Sequence, residues 1–192
     1  LFRSAVLDTS NTLLWHFTRT RLDAESVRDA MLAASGTLDL TMGGPSAMQF
    51  KFDDPNKEVS PRVDYESFDP DSPASYRRSV YRFLFRNLND PLLEAFDAVD
   101  PSLSTPRRDS TITPQQSLSL LNNRFVLRQC EHLARRLERE AATTPTRIEL
   151  AFQLLFARSP SATENALLAP YADKHGLPNL CRVLFNFNEF IF

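Results

Sequence analysis

Glycine is scarce in this chain, at four of 192 residues. A loop that cradles a phosphate needs glycines so that backbone N–H groups can approach the ligand closely. The sequence contains no GxGxxG, no P-loop and no GxSxG pattern. These absences exclude the familiar nucleotide-binding loops and the nucleophile elbow of α/β-hydrolases. We expect Gly43 and Gly44 to form a turn with positive φ.

Cysteine is also rare, and the two cysteines, Cys130 and Cys181, belong to no CxxC or CxxCH motif. The chain therefore has no c-type haem attachment motif and no thiolate zinc motif. Each cysteine is in register with apolar residues of an expected helix, so we expect both to be small buried apolar groups. The sequence leaves open whether they pair.

The three histidines have no metal-ligand spacing, and we predict no metal site. We expect His132 at the surface or in a capping role.

Long apolar runs and a charge excess are absent as well. No stretch approaches the roughly 20 apolar residues that span a bilayer. The 22 basic and 24 acidic residues give a net charge of −2, so bulk charge does not indicate nucleic-acid binding. Lysine is nearly absent, because 19 of the basic residues are arginine. The arginines indicate either a surface for sulfated or carboxylated polymers or, as we favour, a codon preference together with internal salt bridges.

The order of hydrophobic patterns predicts a mainly α (α+β) protein. We expect a C-terminal antiparallel helical bundle, with a small two- or three-stranded antiparallel sheet and Pro-rich loops in the middle. One domain would comprise N-terminal helices at 1–46, a strand and loop segment at 47–88, and the bundle at 89–192. The predicted helices cover 11–18, 24–35, a short stretch from 91, 114–139 with a break near 122–123, and segments starting at 144, 162 and 178. The predicted strands cover 48–52, 63–67 and 80–85.

The chain starts without methionine and stops inside an apolar run, residues 185–192. An exposed run of this kind favours association. We therefore expect the chain to be a piece of a longer protein.

Two groups of polar residues are candidates for a site. Asp97, Asp100 and Asp109 lie close in sequence and are able to bind a cation or act as an acid/base pair, although capping of turns is the favoured alternative. The second group precedes an expected helix N-terminus. Its members either bind an anion, which a helix N-terminus attracts, or, as we favour, form hydrogen bonds that fix the start of the helix. Its members are Arg107, Arg108, Asp109, Thr111 and Gln115.

Several segments, in order along the chain, resemble one family. They are residues 22–36, 43–45, 77–83, 96–100, 113–122 and 184–190. The family is the planctomycete-specific domain of unknown function 1553, and the chain resembles its C-terminal part. The resemblance implies an exported parent protein, periplasmic or on the cell surface, with a cytochrome-c-like domain upstream. Haem would belong to that upstream domain, and this segment would bind no cofactor.

Three functions follow as hypotheses. The first is a scaffold or interaction domain whose partners are upstream domains of the same polypeptide. The second is a carbohydrate- or anion-binding module that uses Arg107, Arg108 and nearby Trp or Tyr residues, with polysaccharide as its partner. The third is part of an enzyme completed by the upstream region, to which Asp97, Asp100 or Asp109 would contribute. The sequence does not decide whether the chain is enzymatic.

Overall fold

The computed structural model describes residues 2–17, 20–52, 63–85 and 89–192 of a mainly α protein with a small sheet, as predicted. The helices are α1 (Phe2–Leu7), α2 (Ala24–Ser35), α3 (Pro73–Tyr76), α4 (Pro91–Ala95), α5 (Pro114–Asn122), α6 (Arg124–Glu140), α7 (Thr144–Phe156), α8 (Ala162–His175), α9 (Leu177–Phe185) and α10 (Asn188–Ile191). Strands β1 (Lys51–Phe52) and β2 (Val63–Asp64) pair antiparallel, with Lys51 opposite Asp64.

Helix α2 begins and ends as the sequence predicts. The side chain of Asp23 accepts a hydrogen bond from the backbone N–H of Ser26 at 2.8 Å, which satisfies one unpaired donor of the first turn. Gly36 ends the helix in the left-handed conformation, at φ +76°, and its N–H donates to Ala33. The apolar stripe, which includes Val27 and Met31, is buried.

The helix predicted at 11–18 is absent from its described part, residues 11–17, and α1 precedes it. The carboxylate of Asp8 accepts hydrogen bonds from the backbone N–H groups of Thr12 and Leu13, at 2.9 and 2.7 Å. These donors are therefore held by a side chain, and Leu14 takes a positive φ of 52°. The segment folds as a series of turns because a local acceptor competes with the helical hydrogen bonds.

The third predicted strand, at 80–85, is also wrong. Residues Ser79–Tyr81 form a 3₁₀ turn, and only an isolated bridge joins Ala47 to Arg82. The backbone N–H groups of Tyr81 and Arg82 donate to the carbonyls of Arg78 and Ser79 within this turn, so neither is free for a ladder. The carboxylate of Asp29 fixes the start of the turn, because it accepts hydrogen bonds from the backbone N–H and the hydroxyl of Ser79. The aromatic alternation still has a function, because the ring of Phe83 packs edge-on against Phe50 at 5.8 Å.

The bundle is organised around α6, which packs against α9 on one side and α2 on another. The predicted break before α6 is confirmed, since Asn123 ends α5 and caps α6 by accepting from Phe125 N at 2.9 Å. Ser161 and Glu164 form the predicted capping box of α8. The core joins residues distant in sequence, from Val27 and Met31 of α2 to Leu184 of α9. Cys130 and Cys181 are both buried and both free.

Candidate functional site

Asp97, one of the predicted site residues, lies in a structural lock that ties three segments together. Asp97 Oδ2 accepts from the Arg21 guanidinium and from Thr111 N, both at 2.8 Å, and the Thr111 hydroxyl donates to Oδ1. Arg21 also donates to the carbonyls of Phe96 and Thr111. Burial alone would raise the pKa of Asp97, but the hydrogen bonds from Thr111 and Arg21 outweigh it and lower the pKa. Asp97 therefore remains an ionised anchor.

The other sequence-predicted residues do not gather around Asp97. The Asp100 carboxylate accepts from Ser102 N and its hydroxyl, which is the geometry of a capped turn. Arg107, Asp109 and Gln115 are exposed. Gln116, next to Gln115, is the buried glutamine, and its amide donates to the Thr111 carbonyl at 3.0 Å.

Arg108 lies apart from this lock, at the start of α2. Its guanidinium donates to both carboxylate oxygens of Glu25, at 2.5 and 2.9 Å, and lies 3.7 Å from Asp23. Hydrogen bonding by Glu25 raises the pKa of Arg108. The pair is bidentate but well exposed, so it contributes little to stability.

The strongest polar centre is formed by arginines that the sequence analysis did not single out. Arg28, on α2, is 3% exposed. Its guanidinium donates to the carbonyls of Ser75 and Arg77 at 2.6 and 3.0 Å and to Gln49 Oε1 at 3.2 Å. Burial lowers the pKa of Arg28 to about 10, and the group stays charged at neutral pH. Arg28 therefore pins residues 37–52 and 63–85, the described parts of the irregular region after α2, to the bundle.

Arg82 is the second buried arginine of this centre. Its Nε donates to Gln49 Oε1 at 2.6 Å, and its Nη2 donates to Asp90 Oδ2 at 2.7 Å. Gln49 thus bridges Arg28 and Arg82, and its own amide donates to Ala74. Arg82 Nη1 is buried and has no hydrogen-bond partner among the described residues.

A groove of about 560 Å³ opens beside this centre, between the first half of α2, the segment 78–84 and residues 93–99. We call it the mixed-charge groove. Its charged lining consists of Asp23, Glu25, Asp29, Arg78, Arg82 and Arg108. Its apolar lining consists of Leu38, Val80, Leu84, Leu93, Ala98 and Val99. Of the sequence-predicted site residues, Arg108 lines this groove and Arg107 does not.

A separate cluster holds the loop before α3 against α6. Asp71 Oδ1 lies 2.9 Å from His132 Nε2, and both Asp71 oxygens accept from the Arg128 guanidinium. Hydrogen bonds from Arg128 lower the pKa of Asp71 well below its usual range. The side chain of His132 is 13% exposed, so the expected surface or capping role is wrong: the ring is a half-buried hydrogen-bond partner of Asp71.

The described residues contain no group of three His, Cys, Asp or Glu side chains arranged to hold a metal ion. Burial raises the pKa of Cys130 to about 12 and also raises that of Cys181, so neither is a ready thiolate nucleophile. Across the described ranges, no helix is long and apolar enough to cross a bilayer. The chemistry that the geometry offers is hydrogen bonding by paired guanidinium and carboxylate groups.

Sequence reasoning did not single out Arg28, Arg78 and Arg82 as site residues because none lies in a catalytic or binding motif. The available signals were the excess of arginine over lysine and the position of all three in the family-like segments 22–36 and 77–83. Burial of an arginine depends on acceptors far away in sequence, such as Gln49 and Ser75, and no local pattern reveals them.

The fold and the groove define a mainly α domain in which buried arginines hold an irregular segment on a helical bundle. The family model described as PSD1, protein of unknown function (DUF1553), matches residues 3–172. The chain belongs to this family, as its sequence segments indicated. No curated protein and no solved structure matches the chain.

Proposed function

We propose that the chain is a binding module of an exported protein, and that the mixed-charge groove is its carbohydrate- or anion-binding surface. The observation that carries the proposal is the groove itself, where three arginines and three carboxylates line one concave surface beside exposed apolar side chains. Export, and a haem domain elsewhere in the same polypeptide, follow from the family resemblance and are part of the proposal.

The backbone that carries these side chains is well fixed, which favours binding. Asp29 accepts from Ser79 N and its hydroxyl, and Arg28 holds the carbonyls of Ser75 and Arg77. Arg78 and Val80, on the far wall of the groove, are therefore anchored to α2. A preorganised site spends less free energy on ordering its side chains when a ligand binds.

The neighbours Arg107 and Arg108 provide the test. We expect the purified domain to bind polysaccharides in an immobilised panel of neutral and sulfated glycans. Arg108→Ala should weaken that binding about tenfold, which corresponds to the loss of one charge-assisted hydrogen bond. Arg107→Ala removes the same charge one residue away, outside the groove, and should have no effect. Equal glycan affinity of the two variants, or no binding to any glycan of the panel, would contradict the proposal.

A second candidate is a scaffold for upstream domains of the same polypeptide. It is supported by the N-terminal turns, where Leu13, Leu14 and Phe17 are largely exposed. The test mixes the domain with the upstream region of the parent protein and looks for a complex by size-exclusion chromatography. The double substitution Leu13→Ser and Leu14→Ser should abolish the complex, and Leu103→Ser, an exposed leucine elsewhere, should not. A complex that survives the double substitution contradicts this candidate.

A further inference from the structure

We propose that the mixed-charge groove binds an uncharged oligosaccharide, whose hydroxyl groups are recognised by the ion pairs Arg108–Glu25 and Arg78–Asp29. The inference rests on the proposed binding function and names its ligand class.

Charge balance in the groove argues for an uncharged ligand. The lining carries three guanidinium groups and three carboxylates, so its formal charge is zero, and because Arg82 is only 7% exposed a ligand meets two arginines and three carboxylates. A sulfated or carboxylated polymer would meet Asp23, Glu25 and Asp29 as well as the arginines. Repulsion by these carboxylates would cancel much of the attraction, because a like charge placed close to a ligand costs binding free energy.

The geometry of the ion pairs matches the hydrogen bonding of a sugar hydroxyl, which both donates and accepts. Arg108 and Glu25 lie 2.5 Å apart at their nearest atoms, so a donor and an acceptor stand side by side at the groove edge. Arg78 Nε and Asp29 Oδ2 are 4.0 Å apart, a looser pair with room for a hydroxyl to bridge them. The side chains of both arginines are 44% exposed, so they are accessible to a ligand.

The apolar part of the lining suits the C–H faces of a sugar ring. Val80 and Leu84 are 70% and 59% exposed and belong to the same groove. Aliphatic side chains provide this contact in place of aromatic rings, since no Trp or Tyr is among the described residues that line the groove. We therefore expect weak binding to a single chain, strengthened when several domains engage one polymer.

Arg82 lies deeper and has a different role. Its Nη1 is enclosed in this structure, so the first contacts with a ligand are those of Arg78 and Arg108. Arg82 positions Gln49 and Asp90 beneath the groove and is not proposed as a direct contact.

The test is an NMR titration of the ¹⁵N-labelled chain with cellohexaose, mannohexaose and xylohexaose. A heparin-derived hexasaccharide and sodium sulfate serve as charged probes. We expect at least one uncharged hexaose to shift the amide signals of Ser26, Ser79 and Val99. The affinity should be unchanged from about 50 to about 500 mM NaCl, because screening does not weaken hydrogen bonding to an uncharged ligand.

Two substitutions and one control complete the test. Arg78→Ala and Arg108→Ala should each weaken the hexaose complex about tenfold. Arg139→Ala, which removes an exposed arginine of α6 outside the groove, should leave it unchanged.

Binding of only the heparin hexasaccharide or sulfate, with loss at high salt, would overturn the inference and leave the proposed binding function standing. Binding of no probe would overturn the inference. If the immobilised glycan panel also showed no binding, the proposed binding function would be overturned as well. If the hexaose bound Arg78→Ala and Arg108→Ala with unchanged affinity, the sugar would bind outside the groove, and this result would also contradict the inference.

Discussion

A guanidinium that is removed from water loses its hydrogen bonds to water and is stable only when protein acceptors replace them. Arg28 is such a buried guanidinium. Its Nη1 and Nη2 reach two carbonyls, Ser79 Oγ, Gln49 and Asp29. Its face also lies 5.0 Å from the centre of the Phe125 ring. A lysine has three donors on one nitrogen and cannot reproduce this spread, which gives a physical reason for arginine at this position.

We predict that Arg28→Met destabilises the protein by about 3 kcal/mol or more, because several buried acceptors lose their donor at once. The free energy of unfolding of Arg28→Lys should lie between those of Arg28→Met and the wild type, because lysine keeps the positive charge but lacks the planar guanidinium that reaches several acceptors. Urea unfolding followed by circular dichroism measures the free energy of unfolding. The control is Arg139→Ala, at an exposed position, which should change this free energy by no more than about 0.5 kcal/mol. If Arg28→Met is as stable as the wild type, the network does not anchor residues 37–52 and 63–85.

A second residue-level prediction concerns acid stability. Hydrogen bonds from Arg158, with help from Ser161, lower the pKa of Glu164 from 4.5 to about 2. Because the folded-state pKa is depressed, this stabilisation is present above the unfolded-state pKa and is lost as the pH falls towards about 2. As the pH falls from about 4.5 to about 2, the free energy of unfolding of Glu164→Gln should therefore decrease less than that of the wild type. Urea unfolding across that pH range measures the difference, and parallel curves for the two proteins would contradict the assignment.

The residue scale is also where sequence reasoning was weakest. Gln115 and Gln116 are chemically identical, yet Gln116 is the buried one that contacts Thr111. Asp97 was predicted to bind a cation, to act as an acid/base or to cap a turn, and none of these alternatives includes its partner Arg21, which lies 76 residues away. Local patterns do not contain the tertiary contacts that decide such cases.

At the scale of elements, local chemistry predicted more. Asp23 with Gly36, and Ser161 with Glu164, mark helix ends through bonds that close within four residues, so the sequence suffices to place them. The strand predicted at 80–85 is absent because Tyr81 and Arg82 donate within a 3₁₀ turn instead. The start of that turn is held by Asp29, a side chain from another element that accepts from the Ser79 N–H and hydroxyl. Elements are thus predictable where their hydrogen bonds are local.

Gly36 and Gly43 form a matched pair for testing the end of α2. Both have positive φ, at 76° and 75°, so an alanine is strained at either position. At Gly43 a Cβ meets nothing within 4 Å, whereas at Gly36 it meets Arg136 Cδ at 3.4 Å. Arg136 also donates to the carbonyls of Ala33 and Ala34 at the end of the helix.

We predict that Gly36→Ala and Gly43→Ala each lower the free energy of unfolding by the backbone term of about 1 kcal/mol, because a Cβ at Gly36 makes only an ordinary van der Waals contact with Arg136. Thermal and urea unfolding of the two variants measure these losses. A clearly larger loss for Gly36→Ala would contradict this prediction and show that the added methyl group displaces Arg136 from the carbonyls at the end of α2.

At the scale of the whole molecule, one core connects α2 with α6 and α9. Both cysteines lie in it, and burial raises the pKa of each thiol. The sequence predicted their burial from helical register alone, whereas the way that α2 packs on α6 involves contacts across about 100 residues and had no local signature.

The two thiols should therefore report on global unfolding. We predict that Cys130 and Cys181 react with Ellman's reagent in native buffer only at the rate at which the whole core opens, and that Arg28→Met accelerates both equally. Both thiols should react promptly in concentrated urea, which serves as the control. Rapid labelling of one thiol in native buffer would instead reveal local opening of α6 or α9.

The backbone N–H of Leu22, just before α2, donates to the carbonyl of Ile191 at 2.8 Å. This bond joins the first third of the described chain to its last helix, so a ribosome must translate through residue 191 before it can form. During synthesis, α2 can already pack on α6, but the residue that leads into it lacks this contact until α10 has left the exit tunnel. The closing of the structure at the start of α2 is therefore one of the last steps in the folding of a newly made chain.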